Sequence, residues 1–91
     1  MSEPYRLVLM PSAIKALENR LKPSVAFALY EFMDTVLLDA PRRAGKPLAE
    51  PLDGYLSARR GAYRIIYRID DKTHSVMVLT VDHRADVYRP R

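Results

Sequence analysis

The chain has 91 residues, 48% of them hydrophobic and none of them cysteine, with a net charge of +4 that is unevenly placed: residues 1–41 sum to −1 and residues 42–91 to +5. This suits one small domain over residues 1–91, since disordered chains carry too little apolar surface to offset their ordering entropy. The lack of cysteine excludes disulfides, thiolate metal sites and cysteine nucleophiles. There is no apolar run near the roughly 20 residues of a membrane helix and no signal-peptide pattern at Met1–Pro4, so a cytoplasmic protein is expected, without membrane association.

Tyr5–Met10 is short, apolar and β-prone, which predicts a strand closed by Pro11-Ser12. Ser12 is placed to cap a helix whose apolar stripe is Ala13, Ala16, Leu17 and Leu21. Lys22-Pro23 interrupts the stripe, and Pro23 suits the first turn of a second helix. There Val25, Leu29, Phe32, Met33, Val36 and Leu37 form one apolar face, until Ala40-Pro41 ends it. The short link predicts an antiparallel helical hairpin. Residues 41–55 carry three prolines and two glycines and read as loop, with a turn at Asp53-Gly54. Leu56–Arg60, Tyr63–Asp70 and Ser75–Asp82 read as three strands joined by short hairpins. Val87-Tyr88 either adds a short last strand or packs against the sheet. The order β-α-α-β-β-β predicts an α+β fold: an N-terminal strand and a helical hairpin covering one face of a mainly antiparallel sheet.

Eleven of the fifteen cations are arginine, the side chain that grips phosphate in a fixed bidentate fork. Along Tyr63–Ile69 the side chains alternate, so Tyr63, Ile65, Tyr67 and Ile69 face the helices while Arg64, Ile66 and Arg68 share the open face. Guanidiniums there either lie over the sheet and pair with Asp70, Asp82 and Asp86, which suits Arg68, or meet an anion. Arg64 is the candidate for the second role, because Arg59, Arg60 and the run His83-Arg84-Ala85-Asp86-Val87-Tyr88-Arg89 are expected to converge on it. Internal cleavage of RNA needs a base for the 2′-hydroxyl, cations for the phosphorane and an acid for the leaving oxygen. His83 or Tyr88 could serve as base or acid, and Arg64 and Arg84 could hold the phosphate. His74 lies in a hairpin turn and is not a candidate. Glycine-rich nucleotide loops, metal-ligand spacings and a nucleophile elbow are all absent from the sequence, so neither metal nor cofactor is expected.

The runs Gly45-Lys46-Pro47-Leu48, Leu52-Asp53-Gly54, Ser57–Asp70 and His83–Tyr88 resemble the RelE/ParE toxin superfamily, most closely its RelE branch. The resemblance spans nearly the whole chain. It implies the toxin of a type II toxin–antitoxin module: an enzyme that enters the ribosomal A site and cuts mRNA without metal, leaving a 2′,3′-cyclic phosphate and a 5′-hydroxyl. By position it makes Arg64 and Arg84 phosphate or transition-state stabilisers and Tyr88 a candidate base, with His83 matching a histidine that acts in some relatives. Lys46, Arg59, Arg60 and Arg68 are the accompanying RNA-binding cations. Tyr55 and Ser57 stand where the best-studied RelE type has catalytic lysines. Implied partners are the ribosome, mRNA and a small RelB-like antitoxin, the last in a heteromeric complex. The ParE branch, which poisons DNA gyrase without cutting RNA, is the alternative.

Overall fold

The computed structural model describes residues 3–83. Strand β1 (Arg6–Leu9) leads into α1 (Pro11–Lys15), which continues as a π-helical turn over Ala16–Arg20. The second helix, α2 (Pro23–Phe32), likewise continues as a π-helical turn over Met33–Leu37. A one-turn helix α3 (Pro41–Ala44) and a two-residue strand β2 (Lys46–Pro47) precede the three long strands β3 (Leu56–Arg60), β4 (Tyr63–Asp70) and β5 (Ser75–His83). These form one five-stranded sheet in the order β1-β5-β4-β3-β2. Among the described residues only β1 pairs in parallel, beside β5; the other pairs are antiparallel. The fold is thus the α+β arrangement expected.

The helices cover one face. Leu17, Leu29, Met33 and Leu37 pack on Ile65, Tyr67, Val76, Val78 and Val81, all essentially inaccessible to water. Burying such side chains is the main favourable term in a domain this small. A bulge leaves Leu79 as an extra residue on β5, between the pairs Ile66–Thr80 and Tyr67–Val78.

Three local expectations need correction. Ser12 does not cap the first helix: Met10 holds that position without a side-chain cap. Pro11 takes the first helical position, where its fixed φ fits and its missing N–H is no loss, so Ser12 lies inside the helix. Val36 is not on the core face but 46% exposed, because the wider π-helical turn rotates it outward while keeping Met33 and Leu37 inward. The stretch 41–55 is not all loop, since Pro41 starts α3 and Lys46–Pro47 pairs with β3. Val87 and Tyr88 lie outside the described residues.

Candidate nucleic-acid cleft

Strand pairing decides which cations share a face, since residues directly opposite one another project to the same side. Arg59 is opposite Arg64, and Arg64 is opposite Asp82. In the next row Lys46 is opposite Ser57, and Ser57 is opposite Ile66. All of these lie on the face the helices leave open. Four of them, Lys46, Ser57, Arg59 and Arg64, form the polar wall of a cleft of about 450 Å³. The far wall is Arg43 of α3 with Ala44, Gly45, Pro47 and Leu48. Thus two guanidiniums come from the sheet, a third from α3, and an ammonium from β2.

The loop wall is pinned at several points. Tyr67, on the helix-covered face of β4, donates its hydroxyl to the Pro41 carbonyl at 2.6 Å. Burial pushes that phenol up to about 12, so it stays a neutral donor across the physiological range. Gly45 lies so close to β3 that a Cβ would stand 2.7 Å from the Ser57 carbonyl oxygen and 2.5 Å from the Tyr67 hydroxyl. Only glycine fits between them. On the outer side, the Arg42 guanidinium holds the Asp71 carboxylate in two hydrogen bonds, and the Tyr5 hydroxyl donates to Asp71 at 3.0 Å. Hydrogen bonds from Arg42 and then Tyr5 keep the Asp71 carboxyl below its ordinary range. Tyr5 also stacks on His74, with ring centroids 3.9 Å apart.

Within the cleft, the Ser57 hydroxyl oxygen is closed to solvent and has no hydrogen-bond partner among the described residues. The Nε of Arg64 is closed to solvent as well. A buried hydroxyl left without a partner costs roughly 1–3 kcal/mol, which marks the cleft floor as a place where stability is given up.

The register separates several residues the sequence grouped together. His83 is opposite Tyr63, whose ring it meets edge-on at 5.2 Å, so it belongs to the helix-covered side and not to the face of Arg64. His83 and Arg64 therefore project from opposite faces of the sheet. Arg60 is also opposite Tyr63 and lines a separate hollow with Ser24, Val25 and Gly61 at the start of α2. Arg68 is on the open face but four residues along β4 from Arg64, roughly 13 Å at the rise of a strand, and it does not line the cleft. Arg84 and Tyr88 lie outside the described residues. Arg43 was missed because it stands in a proline- and glycine-rich stretch; the basic run Arg42-Arg43-Ala44-Gly45-Lys46 was the available signal.

A small sheet with one face under a helical hairpin and the other carrying a cationic cleft is an α+β frame suited to an anionic partner. Residues 7–88 match the family model described as ParE toxin of the type II toxin–antitoxin system parDE. The chain is 46% identical over 86 residues to toxin RelG of Mycobacterium tuberculosis, covering 94% of this chain and 98% of that protein. It is 42% identical to toxin RelE of the same organism, covering 94% and 88% respectively. Its fold is similar to that in the crystal structure of the toxin–antitoxin complex RelBE2 from M. tuberculosis. There the TM-score is 0.84 and the identity 44%, over 90% of this chain and all of the matched chain. The chain belongs to the RelE/ParE superfamily of type II toxins.

Proposed function

We propose that this toxin is a ribosome-dependent endoribonuclease that cuts mRNA in the A site by transesterification, without a metal ion. In this reaction the 2′-oxygen forms a bond to phosphorus as the bond from phosphorus to the 5′-oxygen breaks. A base takes the 2′-hydroxyl proton and an acid supplies one to the leaving 5′-oxygen, giving a 2′,3′-cyclic phosphate and a 5′-hydroxyl. The observation that carries the reading is the meeting of Arg59, Arg64, Lys46 and Arg43 around one cleft. Cations gathered around one cleft stabilise charge that develops on the phosphorane. The likeness to toxins named RelG and RelE supports the same activity. In this reading Arg84 is a second phosphate ligand and Tyr88 the base, on the resemblance of the run His83–Tyr88 to the RelE branch, and His83 packs against Tyr63.

A RelB-like antitoxin is the proposed partner, since the structure of a RelBE2 complex is among the most similar. Primer extension on an mRNA translated in vitro tests the reading. Cuts within codons that need the ribosome are expected, and Arg64→Ala should lower their rate by about 10²–10³-fold while the protein stays folded. The ParE description of the family model favours one other reading, inhibition of DNA gyrase. Intact mRNA together with loss of supercoiling activity in a gyrase assay would establish it instead.

A further inference from the structure

We infer that Arg43 is a further phosphate-binding residue, which grips the backbone of single-stranded RNA from the wall opposite Arg59 and Arg64. The inference rests on the proposed reading of the cleft as an RNA site, and it adds a contact that neither the sequence motifs nor the sheet register supply. Arg43 is exposed and borders the cleft, and its guanidinium has no hydrogen bond or ion pair among the described residues. Its neighbour Arg42 is the contrast, tied to Asp71 and Tyr5. The backbone that carries Arg43 is held by the Tyr67–Pro41 hydrogen bond on one side and by the tight seat of Gly45 on the other. A free cation on a fixed turn loses little freedom on binding, and an arginine fork can take two oxygens of one phosphate.

The chemistry of the cleft selects the ligand. Among the described residues its lining has no aromatic ring to stack on a base, no side-chain amide to read a base edge and no carboxylate. What remains is four cations, which recognise phosphate. Contacts of that kind hold a strand in register without reading its sequence. Cations on both walls suit a chain that passes between them.

The test is binding of the full chain to short 2′-O-methyl oligoribonucleotides of several sequences, which cannot be cut, measured by fluorescence anisotropy across a salt series. Arg43→Ala should weaken binding roughly fivefold to tenfold for every sequence and reduce the slope of log K against log salt by about 0.7. Lys72→Ala, an equal change of charge in the exposed β4–β5 turn, is the control and should change little. Equal losses in both variants would reduce the effect to net charge and overturn the inference, as would unchanged binding by Arg43→Ala. So would a loss seen only for an acidic peptide, since the wall would then serve a protein. The assay is independent of cleavage. If the parent chain binds through Arg43 yet cuts no mRNA, the nuclease reading fails and the phosphate contact stands; if it cuts mRNA and Arg43→Ala binds normally, only this inference fails.

Discussion

Gly45→Ala is the most direct test of how the cleft is built. The backbone at Gly45 is extended, at φ −140°, so alanine meets no conformational penalty there and the outcome depends on space alone. An added Cβ would lie 2.7 Å and 2.9 Å from the Ser57 carbonyl oxygen and carbon and 2.5 Å from the Tyr67 hydroxyl. The first two are backbone atoms of a paired strand and cannot yield cheaply. The third is held at 2.6 Å from the Pro41 carbonyl. Overpacking costs about 1–3 kcal/mol, and with two backbone atoms inside 3 Å the upper part of that range, about 2–3 kcal/mol, applies. Loss of unfolded-chain freedom on replacing glycine offsets up to about 1 kcal/mol, which leaves a net loss of about 1–2 kcal/mol. For a domain of this size that lowers Tm by about 4–8 °C per kcal/mol, readable by thermal or urea denaturation. Because β2 must move away from β3, RNA binding should fall as well. Tyr67→Phe alone should cost about 1–3 kcal/mol by leaving the buried Pro41 carbonyl without its donor. In that background Gly45→Ala should cost less than in the parent chain, because one of the three close contacts is gone. A Gly45→Ala protein as stable as the parent would refute the steric argument, and equal costs in the two backgrounds would remove the Tyr67 hydroxyl from it.

Two further outcomes follow from the site. His83→Gln should keep most of the mRNA cleavage and its pH profile, because His83 faces Tyr63 across the sheet from Arg64; loss of the acidic limb of that profile in His83→Gln would return His83 to the proton-transfer role. At high pH, the Tyr67 phenol is raised in the folded chain from about 10 to about 12, so the unfolded state loses its proton first. The stability due to this group is therefore fully present below pH 10 and is lost as pH rises toward 12, at no more than about 1.4 kcal/mol per pH unit. Urea midpoints measured over that range should show this decline in the parent and a shallower one in Tyr67→Phe; parallel declines would contradict the assignment.

Local pattern was enough to find the elements because their signals lie within a few residues. The alternation along Tyr63–Ile69 and the turns at Gly61-Ala62 and Asp71–His74 need no distant partner to be read, and β3 and β4 have the bounds expected. The same alternation put Arg64 on the open face and Tyr67 in the core. A helix face was less legible where geometry departs from 3.6 residues per turn, as Val36 shows.

The make-up of the cleft depended on pairing, which is not local. Arg59 and Arg60 are neighbours in sequence, yet a strand sends neighbours to opposite faces, so one joins Arg64 and the other borders α2. His83 and Arg64 seemed to converge because both end or flank long strands, and only the register, with Asp82 rather than His83 opposite Arg64, separates them. Arg43 enters through a turn positioned by Tyr67, a core residue 24 positions further along the chain. The sequence by itself determined the toxin family, the strands and the cationic character of the second half. Which cations meet was decided by tertiary structure, because the side to which a strand residue points is set by a register that links segments far apart in the chain.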